Sequence, residues 1–146
     1  TIDEHNDAHY DIVREVAWDY IEVNAINQAM VNESDALVFG TLATRNTQSK
    51  NTLFELLENS SYNVFDINLR APHYDVHVIK DLLHKTQLAK FNKAELRMMI
   101  DFMGKSYTTE EDCVSLFARS KHSGFHLFVC CSRPLPSAAT EEHYTH

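Results

Sequence analysis

Three polar residues alternate with apolar ones in the middle of the chain. Asp66, Asn68 and Arg70 follow the apolar pair Val64 and Phe65, in a stretch that is typical of a β-strand. Side chains two positions apart on a strand share a face, so a carboxylate, an amide and a guanidinium would point the same way. Open α/β sheets bind ligands at the carboxyl ends of their strands. The pattern predicts a site for a polar, phosphorylated ligand; the structural alternative is a strand running into a polar loop.

A second polar pair stands at the start of a predicted helix. Asn92 can cap this helix, and Glu95, three residues later, can return a hydrogen bond to the cap backbone. The same geometry also suits a functional role, because a helix N-terminus attracts phosphate and keeps a carboxylate ionised. An ionised glutamate beside phosphates can hold hydrated Mg²⁺. The pattern leaves both the capping role and the binding role open.

Other residues that could carry chemistry have simpler interpretations. His73 and His77 are four apart, but a helix is predicted from Asp75 onward and no zinc-ligand spacing occurs nearby, so no metal site is predicted there. Cys113 lies on an amphipathic helix and is interpreted as a buried small hydrophobe. Trp18 is expected to pack rather than to bind a ligand. The sequence contains neither a Gly-x-Gly-x-x-Gly motif nor a Walker-type loop.

Strand and helix patterns alternate along most of the chain. Such alternation predicts an α/β fold with three layers: a mostly parallel sheet, right-handed crossovers and helices on both faces. The apolar run before Gly40 is predicted to be a strand covered on both faces. Thr47 or Ser49 is the predicted cap of the following helix. The predicted strands are residues 10–18 (an arm or hairpin), 36–39, 63–70, 87–91 and 125–130; the predicted helices are residues 21–32, 47–58, 75–85, 92–103 and 108–120, the last opened by a capping box at 108–111.

Composition limits the classes of protein that the chain can represent. It has 146 residues, of which 44% are hydrophobic, as expected for one globular domain with a core. A net charge of −8 argues against nucleic acid as a partner. Neither a membrane-spanning run nor a signal peptide is recognisable, and three cysteines fit reduced thiols, so a cytoplasmic location without membrane contact is predicted. The start at Thr1 and the presence of only three glycines lead us to expect a fragment.

Two segments together resemble a known family. Residues 65–74 and 88–96 are similar to the PfkB (ribokinase-type) carbohydrate kinases, most of all to bacterial fructokinases, and the similarity extends over residues 1–129. The resemblance implies a partial ribokinase-like domain over residues 1–131, with 132–146 as an irregular tail. Residues 1–19 would belong to the lid or sugar-site arm, which in this family also forms the contact of a homodimer.

The resemblance implies ATP-dependent transfer of a phosphoryl group to a sugar hydroxyl, with fructose as the expected acceptor. Asn92 and Glu95 match the family motif that holds Mg²⁺ and the ATP phosphates, Glu95 acting on the metal through water. The motif beside the transferring phosphoryl group is matched by three residues, Asp66, Asn68 and Arg70. Arg70 is the one assigned a catalytic role, since it could offset the developing charge. Arg45 is a weaker candidate for the same phosphate pocket.

The chain also departs from the family pattern. It lacks the family's Gly-Ala-Gly-Asp motif, whose aspartate is the catalytic base, so no residue is assigned to that role. The glycine-rich sugar-binding elements are absent too, and the similarity stops after Val129. We therefore expect that this chain alone does not phosphorylate sugar. Two alternatives remain: a catalytically incomplete fragment that serves as a nucleotide-binding or interaction module, and a Rossmann-like phosphate binder without kinase ancestry.

Overall fold

The computed structural model describes residues 12–120 and 124–130 and contains a four-stranded parallel sheet. The strands follow one another across the sheet in chain order: β1 (Leu37–Gly40), β2 (Asn63–Asp66), β3 (Leu88–Asn92) and β4 (His126–Cys130). All three strand pairings are parallel. The predicted α/β class and parallel sheet are thereby confirmed.

Within the described residues, five α-helices connect or precede these strands. They are α1 (Ala25–Glu33), α2 (Thr47–Asn59), α3 (Val76–His84), α4 (Lys93–Phe102) and α5 (Glu110–Ala118). Two 3₁₀ helices, Ala17–Tyr20 and Thr41–Thr44, lie before α1 and after β1. All five predicted α-helices are therefore present, with ends within a few residues of the expected ones.

Polar caps set where the helices begin. Asn46 caps α2 by accepting a hydrogen bond from the Gln48 amide, so the predicted caps Thr47 and Ser49 were wrong. At α5 the capping box consists of Thr109 and Asp112, one residue later than the predicted box. In both helices the true cap, Asn46 or Thr109, has the β-region backbone that an N-cap requires. Where several polar residues stand side by side, the sequence does not show which of them adopts this backbone.

The core lies on one face of the sheet. Alternate strand residues, which include Phe39, Phe65 and Phe91, are buried together with the apolar stripes of α2, α3, α4 and α5. The rings of Phe39 and Phe65 stack with 4.7 Å between centroids, and Phe91 meets Phe117 of α5 edge to face at 4.9 Å. Sequential strand order with right-handed crossovers puts successive helices on the same side of a parallel sheet, which is why one core contains all of them.

The opposite face of the sheet is open in the described residues. Val38 of β1 is 66% exposed and Phe128 of β4 is 55% exposed. The prediction that the strand before Gly40 is covered on both faces was therefore wrong: Phe39 of β1 is buried, whereas Val38 lies on the open face. Of the two predicted helical layers, the described part of the chain contains one.

The segment before α1 differs from its prediction. Residues 12–18 do not form the predicted strand; they run through a bend into the 3₁₀ helix Ala17–Tyr20. Glu15 has a left-handed backbone, with φ of 59°, which interrupts an extended chain. The rest of the predicted arm, at residues 10 and 11, and the predicted tail at 132–146 lie outside the described residues.

None of the helices in residues 12–120 has the length and hydropathy needed to cross a bilayer.

Candidate functional site

The carboxyl ends of the first three strands come together at one edge of the sheet. Gly40, the last residue of β1, pairs with Asp66 at the end of β2, and Asp66 pairs with Lys90 in β3. A Cβ atom at Gly40 would lie 3.2 Å from the Asp66 carbonyl oxygen, closer than most such contacts. Glycine at this position therefore allows β1 to approach β2 closely just where the polar residues begin.

Asp66 forms an ion pair within the sheet. Its Oδ2 accepts a hydrogen bond from Lys90 Nζ at 2.8 Å, and both side chains are about half exposed on the open face. The hydrogen bond and the negative charge of Asp66 raise the pKa of Lys90. Lys90 was missed in the sequence, although it stands two residues before Asn92 and so shares its strand face.

Asn68 and Arg70 lie beyond the strand. β2 ends at Asp66, so the prediction that Asp66, Asn68 and Arg70 share one strand face was wrong. Asn68 is exposed and adopts a left-handed backbone with φ of 42°, which ends the extended run. The exposed Arg70 donates from Nη1 to the Leu69 carbonyl oxygen at 2.9 Å. These two residues thus belong to the loop that follows the strand.

Asn92 and Glu95 form the predicted capping box at the start of α4. Asn92 Oδ1 accepts from the Glu95 amide at 2.8 Å, and Glu95 Oε2 accepts from the Asn92 amide at 2.8 Å. Glu95, which is 8% exposed, makes one further bond: its Oε1 accepts from the Leu69 amide at 2.9 Å. Glu95 therefore connects the two motifs, although it lies 26 residues after Leu69 in the chain. Their roles toward Mg²⁺ and phosphate stay predictions.

Arg45 already has a partner within the chain. Its Nε and Nη2 donate to Asp19 Oδ1 and Oδ2 at 2.6 and 2.7 Å, and Nη2 also donates to the Val13 carbonyl at 2.6 Å. The guanidinium lies 5.6 Å from the centre of the Trp18 ring. Hydrogen bonding to Arg45 lowers the pKa of Asp19, and the same bond raises the pKa of Arg45. Binding of phosphate by Arg45 stays a prediction, and Asp19 is a partner that the sequence did not suggest.

A polar cavity of about 420 Å³ opens beside this ion pair. It is bounded by the segment that contains Arg14, by the start of α2 with Lys50, and by the loop that leads to α3. The loop contributes Pro72, His73, Tyr74 and Asp75, which come shortly after Arg70 in the chain. The cavity therefore adjoins the sheet edge at the β1–β2 side, and its basic residues Arg14 and Lys50 were not singled out from the sequence.

The described residues contain no group of three or more His, Cys, Asp or Glu side chains that could together hold a metal ion. Glu95 could hold a hydrated ion, because each of its oxygens accepts one hydrogen bond and keeps a second acceptor position. Both described cysteines, Cys113 and Cys130, are free thiols.

No protein-family model matches the chain, and no curated protein matches it. Several solved structures do resemble it. An uncharacterized sugar kinase, PH1459 from Pyrococcus horikoshii, matches with a TM-score of 0.58 and 20% identity over 64% of this chain. A fructokinase from Xylella fastidiosa matches with a TM-score of 0.59 and 12% identity over 73% of this chain. The apo fructokinase from Vibrio cholerae O395 matches with a TM-score of 0.59 and 17% identity over 82%.

These likenesses show the fold: the chain is an α/β unit that matches part of these sugar kinase and fructokinase structures. It spans 35–42% of the length of those three proteins. Other crystals of the two fructokinases contain ATP in one case and fructose, ADP and a calcium ion in the other.

Proposed function

We propose that the chain is the phosphate-handling part of an ATP-dependent sugar kinase, with fructose as the sugar. One observation carries the proposal: in a fold shared with sugar kinases, the hydrogen bond from the Leu69 amide to Glu95 joins the two polar motifs at the carboxyl edge of the sheet. Ligands of open α/β sheets bind at this edge. Phosphoryl transfer needs mainly positioning and charge stabilisation, which loops at such an edge can supply.

The loop after β2 and the start of α4 have separate roles toward the phosphate groups. Arg70, exposed on the loop, would offset charge that develops on the transferring phosphoryl group. The N-terminus of α4 presents backbone amides and a positive dipole end to phosphate. Lys90 adds a second cation on the neighbouring strand, and its ion pair with Asp66 keeps it from being an unpaired charge when no ligand is bound.

Magnesium would be held through Glu95. A carboxylate that accepts two backbone amides is fixed in orientation, and it can still accept hydrogen bonds from the water shell of the ion. The ion supplies neutralisation of the phosphate charges. Asn92, whose side-chain oxygen caps α4, keeps its amide nitrogen for a phosphate oxygen.

The polar cavity is the proposed place for the sugar. Its volume of about 420 Å³ falls within the range of small-molecule sites, which is about 300–1,000 Å³. Its walls carry hydrogen-bonding groups suited to hydroxyls, among them Asn46, His73 and Asp75. The loop that bears Asn68 and Arg70 continues into this wall at Pro72, two residues after Arg70.

The test measures Mg·ATP binding to the purified chain by calorimetry. Arg70→Gln should weaken binding at least fivefold, because it removes the exposed cation of the loop. Arg119→Gln is the matched control: it neutralises another exposed arginine, at the far end of α5, and should leave binding unchanged. Equal affinity of the Arg70 variant and the wild type would contradict the proposal.

The second candidate function is a nucleotide-binding or interaction module without turnover. The absence of a Gly-Ala-Gly-Asp sequence favours it, since no base is then assigned to remove the sugar proton. A coupled assay with ATP and fructose separates the two. We expect Mg·ATP binding without turnover from the 146-residue chain, and turnover only from a polypeptide that also supplies that motif; turnover by the chain alone would refute the need for it.

A further inference from the structure

The loop after β2 is held from both sides by buried polar side chains. On the β1 side, Thr41 is 1% exposed, and its hydroxyl donates to the Ile67 carbonyl and lies 3.3 Å from the Asn68 carbonyl oxygen. On the α4 side, Glu95 accepts the Leu69 amide at 2.9 Å. Three consecutive residues of the loop are thus tied to the elements that follow β1 and β3, which are the 3₁₀ helix Thr41–Thr44 and α4.

A third restraint comes from the sheet itself. The Ile67 amide donates to the Lys90 carbonyl at 3.1 Å, which extends the pairing of β2 with β3 one residue past the end of the strand. Ile67 is also fully buried. The backbone on either side of Asn68 is therefore fixed while the Asn68 side chain stays exposed.

These restraints act on a residue with an unfavourable backbone. Asn68 has φ of 42°, a left-handed conformation that residues other than glycine adopt at a cost. Such a conformation persists only where surrounding contacts determine it. It also turns the chain from the direction of β2, and the next residues run through Arg70 to the cavity wall.

We propose that Thr41 and Glu95 are positioning residues that hold Asn68 in its left-handed conformation and thereby set where Asn68 and Arg70 meet a phosphate group. The part of this inference that concerns phosphate rests on the proposed function. Thr41 touches no ligand in this scheme; it acts through the carbonyl groups of the loop. Glu95 acts on the loop through the Leu69 amide, in addition to any contact with a hydrated ion.

Thr86 provides a matched control for Thr41. It is likewise buried, and its hydroxyl donates to a backbone carbonyl, that of Leu82, at 2.7 Å. It follows α3 and lies near the start of β3, away from the strand ends that form the site. Thr41→Val and Thr86→Val each remove a buried hydroxyl that donates to a backbone carbonyl. The two variants should therefore lose similar amounts of folding stability.

The experiment combines two readouts on the 146-residue chain. Backbone chemical shifts and the amide–Hα coupling report the φ angle of Asn68, and titration with inorganic phosphate and with Mg·ATP reports affinity. Thr41→Val should remove the positive φ and weaken binding of both probes at least fivefold, whereas Thr86→Val changes neither. Thr41→Ser keeps the hydroxyl and should restore both within twofold. Glu95→Gln should speed hydrogen exchange of the Leu69 amide at least tenfold.

The outcomes are separable. A positive φ at Asn68 that survives Thr41→Val overturns the positioning role, whatever happens to binding. Loss of that φ with unchanged affinity overturns the link between loop geometry and the phosphate site. If the wild-type chain binds neither probe, the proposed function fails, and the positioning role is then decided by the φ measurement alone.

Discussion

The left-handed backbone of Asn68 leads to a prediction that separates backbone strain from side-chain chemistry. An alanine at φ of 42° brings its Cβ too close to the chain, at a cost of about 1–2 kcal/mol, whereas glycine has no such cost. Asparagine tolerates the region better than alanine does. Asn68→Ala should therefore lower the free energy of unfolding by about 1 kcal/mol, and Asn68→Gly should leave it within about 0.5 kcal/mol of the wild type.

Urea denaturation measures this difference. With a dependence of about 1–3 kcal/mol per molar urea, a loss of 1 kcal/mol moves the midpoint down by about 0.3–1 M. Asn51 is the control, because it is exposed within the helical part of α2. There the order of the two substitutions should invert, since glycine in a helix is about 1 kcal/mol less favourable than alanine. Equal stability of Asn68→Ala and Asn68→Gly would refute the reasoning.

The same pair of variants separates two roles in binding. If the amide of Asn68 itself contacts phosphate, both variants lose affinity for inorganic phosphate. If only the direction of the loop matters, Asn68→Gly binds like the wild type and Asn68→Ala does not. Retained affinity in both variants would remove Asn68 from the proposed site.

Three further predictions concern charge, burial and thiol chemistry. Because Arg45 lowers the pKa of Asp19, the ion pair stabilises the folded chain above the ordinary pKa of 3.8, and the difference in denaturation midpoint between wild type and Asp19→Asn should vanish in more acidic solution; a constant difference would contradict this. Phe39→Ala should lower the free energy of unfolding by about 3–5 kcal/mol, whereas Val38→Thr on the open face should change it by less than about 0.5 kcal/mol; equal losses would contradict the one-sided core. Burial raises the pKa of the Cys113 thiol, so alkylation located by mass spectrometry should reach it only after unfolding; rapid labelling of the native chain would contradict its placement.

Local sequence patterns predicted most of the fold. The helical stripe with Ile79, Leu82 and Leu83 and the cap at Asn92 depend on contacts within a few residues, and the structure has both. The alternation of strands and helices likewise implied the parallel sheet, since consecutive parallel strands need a crossover between them. Errors arose where several polar residues compete, as at the start of α2, where Asn46 rather than Thr47 caps the helix.

Residue type and spacing selected Asp66, Asn68, Arg70, Asn92 and Glu95 as candidates, and their roles stay predictions. The structure brings the two segments that contain them together at one edge of the sheet. The sequence pattern assigned the first three to one strand face, because polar and apolar residues continue to alternate after the residue at which the strand ends. In the chain, β2 ends at Asp66 and Asn68 turns away with a positive φ.

The order of elements, their periodic faces and the two polar motifs depend on interactions between near neighbours, so they could be predicted from the sequence. Long-range packing brings Glu95 to the Leu69 amide, Lys90 to Asp66 and Thr41 to the carbonyl groups of the loop. Each of these contacts joins residues at least 24 positions apart, which meet because parallel pairing aligns the ends of neighbouring strands. No local pattern records which distant group will satisfy a buried hydroxyl or carboxylate, so the arrangement of the site follows from the packing of the sheet edge.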